Sequence, residues 1–312
     1  MSQLDQAHLC QPSVSFVGMA IMAFAMFLLP MGDAISKYLT QFLAPAQIAA
    51  IRAVVQTIFL AGAFALLRHR LSGSAFSVWS FVSGQCVAVV SLCLISAFKS
   101  MPIATAIAIF FVEPLLLTLL AGFMLDEKPG PHRYAAIGIG MLGVLLILRP
   151  NFAVFGPAVF LPILAAFGYA LNMIATRRAT RQTSALTFQL GSSLYACLTL
   201  MVTMLITTDL SAMQAAMTPQ MTLGLIGAGA LAAATFLLIA YAFSRTEASI
   251  LAPFQYLEIL GAILIGFLVF GDVPDKLTLL GTLVILGAGL YVFHRERRAN
   301  VPMRRTKARQ DR

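Results

Sequence analysis

The sequence predicts an all-α integral membrane protein, with ten transmembrane helices arranged as two inverted five-helix repeats. Three observations carry that prediction. Of the 312 residues, 60% are hydrophobic and only 11% charged, with a mean hydropathy of +0.89. A soluble domain of this size has no core large enough to bury so much apolar surface. Apolar runs recur along the chain, each long enough to cross roughly 30 Å of bilayer hydrocarbon. Two of those runs are copies of each other, and each carries a glutamate at its centre.

The spans fall at about 14–37, 44–67, 75–97, 101–124, 132–149, 156–176, 184–207, 220–243, 248–270 and 277–294. The first run is preceded by neither a basic segment nor a cleavage-type small-residue motif, so it reads as a retained helix. Short connections leave no room for a soluble domain. The halves are therefore 14–149 and 156–294, followed by a basic tail at 295–312.

Basic residues set the direction. With the N-terminus in the cytoplasm, sixteen lysines and arginines lie inside, eight of them in the tail, against Lys37, Lys99, Arg149 and Lys276 outside. That bias predicts both termini in the cytoplasm. A basic tail directly after an apolar helix reads as a topology anchor near anionic lipid rather than a nucleic-acid contact. With five spans per half, the second half is inserted upside down. Inverted repeats of this kind are the recurring plan of secondary transporters, with substrate at the repeat interface near the midplane.

Residues 97–129 slide onto 242–274 without a gap. Ala97 falls on Ala242, Phe98 on Phe243, Glu113 on Glu258, Leu115 on Leu260, Leu119 on Leu264 and Pro129 on Pro274. Apolar identities coincide by chance, whereas a charge at mid-bilayer costs about 2.5–3.5 kcal/mol on insertion scales. Meeting that cost twice at equivalent places marks a duplicated chain with a polar site. Three further ionisable residues need a reason. Asp33 and Lys37, four apart, share a face of span one and could pair there. Arg52, inside span two, either snorkels, neutralises a glutamate, or joins Asp33 in lining a polar path.

Pro30, Pro114, Pro162 and Pro253 mark where the backbone ladder can break, three of them beside buried charge. Phe110, Phe111, Phe254 and Tyr256 bracket the glutamates, with Gln255 between the last two, and could stack on a flat ring. Ordinary packing accounts for most of the 23 phenylalanines. The candidate substrate or proton path is thus Glu113, Glu258, Asp33, Arg52, Phe111, Tyr256 and Gln255.

Other chemistries find no residues. Gly138, Gly140 and Gly143 spell a dinucleotide fingerprint, but inside an apolar span where no strand precedes and no helix N-terminus is exposed. Like Gly224, Gly227 and Gly229, and Gly281, Gly287 and Gly289, they read as helix-packing surfaces. Cys10, Cys86, Cys93 and Cys197 and the histidines (His8, His69, His132, His294) lack metal or disulfide spacing. No cofactor, metal or enzymatic nucleophile is expected. The expected partners are a small molecule, the lipid bilayer and a second copy of the chain, with no nucleic acid.

These features resemble the drug/metabolite transporter superfamily with two EamA-type repeats, over about residues 14–294. The characteristic stretch is Ala97–Pro150, where an "A…A…EP…E" pattern matches at Glu113, Pro114 and Glu127. The second half departs from it, with Ile259 after the glutamate and Asp272 where Glu127 stands. The run Gly32-Asp33-Ala34-Ile35-Ser36-Lys37-Tyr38-Leu39 is similar to a "D-A-x-x-K-Y-L" first helix of a bacterial branch that includes riboflavin and S-adenosylmethionine carriers. The resemblance implies a multi-pass secondary transporter of the bacterial inner membrane. Riboflavin uptake is the preferred reading, and S-adenosylmethionine uptake or amino-acid or drug export the alternatives. A membrane scaffold without flux is the rival of another class.

Overall fold

The computed structural model describes residues 16–67, 72–124, 131–179, 182–209, 217–245, 251–291 and 294. The basic tail, Cys10, His8, His69, Glu127 and Lys128 lie outside them. The described chain runs through α1 (Phe16–Leu39), α2 (Pro45–Leu67), α3 (Val78–Ser100), α4 (Ile103–Phe110), α5 (Glu113–Met124), α6 (Pro131–Phe155), α7 (Phe160–Ala179), α8 (Ala185–Thr207), α9 (Pro219–Arg245) and α10 (Leu257–Phe270). A last helix, α11, covers Lys276–Tyr291. No strand occurs among the described residues.

Among the described residues, six helical stretches are long and apolar enough to cross a membrane: α1, α2, α3, Asn151–Ala179, α8 and Pro219–Ile239. Shorter apolar stretches at Ile103–Leu117, Gly138–Leu148, Phe254–Phe270 and Lys276–Tyr291 occupy the places of the other expected spans. Large apolar side chains cover the outside; Leu223 is 72% and Leu283 66% exposed. In lipid such a surface is at no disadvantage, because the surrounding solvent is itself apolar.

The helices interlock along the sequence. α3 lies on α7 and α8, α2 on α8 and α9, α1 on α9 and α10, α7 on α4 and α5, and α4 on α10. Small residues permit this closeness. A Cβ on Gly84 would come within 2.6 Å of the Tyr195 Cβ, and one on Gly229 within 2.5 Å of the Val55 Cβ. Gly143 and Gly281 face each other, so that a Cβ on either would lie 2.9 or 2.6 Å from the other's carbonyl oxygen. Not every glycine serves this purpose, since Gly138 and Gly287 face open space. Buried hydroxyls add polar ties between helices. The Ser83 hydroxyl donates to Asn172 Oδ1 at 2.5 Å and lies 2.7 Å from that of Ser192, while Thr57 and Ser193 meet at 2.6 Å.

Two expected spans differ from the continuous helices the sequence predicts. The one at 101–124 is broken at Phe111–Val112, and the one at 248–270 passes through a 3-10 turn at Ala252–Tyr256 before α10 begins. The physical cause in the first is Pro114. It has no N–H to give the carbonyl four residues back, and its ring crowds that carbonyl. That carbonyl belongs to Phe110, where α4 ends. By contrast Pro162 causes no break, because it sits in the first turn of α7, where an N–H would have no helical partner anyway. Residues 150–155, expected as a connection between spans, are helical to Phe155, and the chain then turns through a 3-10 segment at Gly156–Val159.

Candidate functional site

The two helix breaks carry the two glutamates. Glu113 opens α5 and Glu258 is the second residue of α10, so each carboxylate sits in the first turn of a half-helix. The macrodipole makes that end electropositive, which favours a carboxylate. Both residues are 9% exposed. Oε1 of Glu113 is buried with no hydrogen-bond partner among the described residues.

Aromatic rings join the breaks. Phe111, in the first break, packs on Tyr256, at the end of the second, with centroids 5.8 Å apart and planes tilted 41°. Phe110 continues the row to Phe111 at 6.4 Å and to Tyr169 of α7 at 5.6 Å. Tyr169 lies within electrostatic reach of both glutamates. The hydroxyl of Tyr256 rests against Gly289 of α11, where a Cβ would collide with it. Phe254 turns away to pack with the cluster around Met22 and Met26 of α1. Gln255 is half-buried on the 3-10 turn, with no side-chain hydrogen bond among the described residues.

Asp33 and Arg52 form the other flank. The expected pairing of Asp33 with Lys37 is not made. Asp33, 4% exposed, instead accepts a bond from Arg52 Nη1 at 3.3 Å, and the same nitrogen donates to Ser36 Oγ at 3.2 Å. Arg52 therefore neither snorkels nor neutralises a glutamate; it answers the aspartate buried beside it on α1. Lys37, nearer the end of α1, reaches Asp272 at 2.6 Å in the link before α11 and lies 4.6 Å from the Phe270 ring centroid. The reason is solvation: an ammonium is less costly at a partly open helix end, and a guanidinium suits the interior better.

Asp33 lies within electrostatic reach of Glu258, which in turn is within reach of Glu113. Arg177, in the last turn of α7, lies within electrostatic reach of Glu113. The fold therefore gathers Asp33, Arg52, Glu113, Glu258, Phe111 and Tyr256 into one buried region, with Gln255 on the 3-10 turn directly before Tyr256. It adds two residues that sequence reasoning missed. Tyr169 is one of only seven tyrosines and the one polar ring within span six, a signal available beforehand. Thr235 is a lone hydroxyl in the run Ala232-Ala233-Ala234-Thr235-Phe236, and nothing local sets it apart from other buried threonines.

Residues 14–149, and again residues 156–293, match the EamA-like transporter family. Curated relatives include the S-adenosylmethionine uptake transporter of Rickettsia prowazekii, 27% identical over 202 residues that make up 64% of this chain and 65% of that protein. The riboflavin transporter of Rhizobium johnstonii is 28% identical over 204 residues, 65% of this chain and 66% of that one. That of Vibrio cholerae is 31% identical over 185 residues, 59% and 60% of the two chains. The matched stretch thus spans less than two thirds of these relatives' own length. A solved crystal structure aligns over 90% of this chain and 98% of its own with a TM-score of 0.63 at 19% identity, a likeness of fold.

Proposed function

This chain belongs to the EamA-like transporter family, and from that premise we propose that it is a secondary carrier of the bacterial inner membrane, moving a small ring-bearing metabolite by alternating access. The observation that carries the reading is the pair of broken helices, each presenting a buried carboxylate at a half-helix N-terminus, with Phe111 and Tyr256 packed between them. Discontinuous helices meeting near mid-membrane are how such carriers expose polar groups to substrate while the rest of the backbone stays satisfied.

The packing scheme supports two inverted repeats of five spans. Let α1, α2, α3, the α4–α5 pair and α6 correspond to α7, α8, α9, α10 and α11. Exchanging counterparts turns the α1–α9 contact into α7–α3, α2–α9 into α8–α3, and α1–α10 into α7–α5, all of them present. A two-fold relation between halves 14–149 and 156–294 accounts for that. The excess of basic residues in alternate loops favours cytoplasmic termini. Two such halves can rock about the glutamates to open either face.

The substrate class comes from the relatives. Riboflavin is the first candidate and S-adenosylmethionine the second; each has a flat ring system suited to the aromatic row. Glu113 and Glu258 would carry a proton or hold polar groups of the substrate. The test is uptake of labelled riboflavin and S-adenosylmethionine by cells expressing the chain, with and without a proton uncoupler. Accumulation above control cells is expected for one of them. Full transport by the Glu113→Gln, Glu258→Gln double variant would sink the role given to the carboxylates.

A further inference from the structure

Tyr169, in the middle of α7, is half-buried, and its hydroxyl makes no hydrogen bond among the described residues. The helix turns Phe160, Leu164 and Phe167 outward, all of them exposed. At about 100° per residue, Tyr169 falls about 200° round from Phe167, on the side of the buried Pro162, Ala165 and Asn172. The part of Tyr169 left open therefore faces the inside of the bundle and not lipid. It also ends the aromatic row Tyr256–Phe111–Phe110–Tyr169, and Glu113 lies within electrostatic reach of the tyrosine at either end.

Under the two-fold relation proposed above, the close glycine contacts correspond in pairs. A Cβ on Gly229 would meet the Val55 Cβ at 2.5 Å and the Arg52 carbonyl at 2.9 Å, and one on Gly84 the Tyr195 Cβ at 2.6 Å and the Ser192 carbonyl at 2.7 Å. Gly32 stands against Leu231 and the Ala228 carbonyl as Gly168 stands against Val90 and the Cys86 carbonyl. Arg52 thus answers to Ser192, Asp33 to Tyr169 and Ser36 to Asn172. In the first half those three residues form an ion pair and its hydroxyl tie. In the second, the Ser83 hydroxyl donates to Asn172 Oδ1 at 2.5 Å and lies 2.7 Å from that of Ser192, so the neutral groups satisfy one another and leave Tyr169 over. Glu258 accordingly has a compensated aspartate within reach, whereas Glu113 has a phenol with a donor to spare. Oε1 of Glu113 is unpaired among the described residues as well.

We propose that Tyr169 is a substrate-binding residue, whose hydroxyl and the Glu113 carboxylate together read an edge of the metabolite's ring that offers an acceptor beside an N–H. The phenol donates to the ring acceptor, and the carboxylate accepts from the N–H. Such an edge belongs to flat heterocycles with an amide or amidine face; the imide of riboflavin and the adenine of S-adenosylmethionine both have one. The inference rests on the carrier reading above. As the halves part in its cycle, the aromatic row is the surface the ring meets, and Tyr169 and Glu113 choose among flat rings by their edge.

Tyr169→Phe removes the hydroxyl and keeps the ring. Without ligand its thermal midpoint should match that of wild type, because the hydroxyl has no bond to lose. Uptake is then measured with two pairs of probes. One is riboflavin and riboflavin methylated at its imide nitrogen, where the methyl group holds the edge away. The other is S-adenosylmethionine and its analogue with the adenine ring nitrogen beside the amino group replaced by C–H. For the parent metabolite that is carried, KM should rise roughly five- to tenfold in Tyr169→Phe, the cost of one hydrogen bond, with the change in KM rather than kcat. The matching analogue should be taken up more weakly by wild type and should not distinguish the two proteins. An unchanged KM for the parent overturns the proposal, as does an equal rise for the analogue. A ligand-free loss of several degrees also overturns it, by marking the hydroxyl as a structural bond. Uptake of neither parent by wild type overturns the carrier reading itself.

Discussion

Glu258 stands among charges of its own sign. Asp33 and Glu113 lie within its electrostatic reach, as does the Tyr169 hydroxyl, and no hydrogen bond supports its carboxylate among the described residues. A buried carboxylate in that setting needs a cation, whether a proton or a positive end of a ligand, and its ionised form destabilises the resting fold. Glu258→Gln should therefore raise the thermal midpoint in detergent while lowering uptake at least tenfold; a variant that gains stability and keeps full uptake would contradict this. The Asp33–Arg52 pair obeys the opposite logic, since each member compensates the other. Arg52→Met leaves Asp33 buried and unanswered and should cost about 3 kcal/mol of stability, most of it recovered in the Asp33→Asn, Arg52→Met double variant. Chemical unfolding of the three proteins checks it. The sequence showed that these four residues needed an explanation, but not how they would pair. Arg52 and Asp33 are on different helices, and only their packing brings them to 3.3 Å.

At the scale of elements, the broken spans turn on proline. In the first half Pro114 directly follows Glu113 and ends α4 at Phe110; in the second, Pro253 precedes Glu258 by five residues within the 3-10 turn. Different local sequences thus reach the same result, a half-helix with a glutamate in its first turn. Pro114→Ala restores an N–H that can bond the Phe110 carbonyl and lets α4 run on into α5. That change should stabilise the helix, move Glu113 from a helix N-terminus to a helix interior, and reduce uptake several-fold with normal membrane insertion. Unchanged uptake would show that the break is incidental. Proline positions were legible beforehand as places of weakness. Whether the helix runs on, as α1 does through Pro30, or breaks fully depends on the neighbours that take up the freed carbonyls.

For the whole molecule, the informative contact is the pair of Lys37 with Asp272, which ties α1 to the link between α10 and α11. Both side chains remain partly exposed, at 16% and 24%, so the pair contributes little stability by itself. Its place across the two halves suits a clasp that opens as they move. Cysteines at both positions, joined by a short reducible cross-linker, should stop uptake, and reduction should restore it; uptake that persists in the cross-linked protein would remove the clasp from the transport cycle. The membrane class, the places of the apolar helices, the repeated glutamates and the aromatic residues beside them all follow from the sequence alone. Hydropathy and proline act locally, within a helix turn or a span, and so are readable in a linear chain. The pairing of Lys37 with Asp272 across 235 residues, of Arg52 with Asp33 across 19, and the arrival of Tyr169 and Thr235 beside the charged groups were decided by tertiary structure. Those contacts depend on which helix faces which, and that is set by the summed packing of glycines, hydroxyls and apolar side chains over the whole bundle.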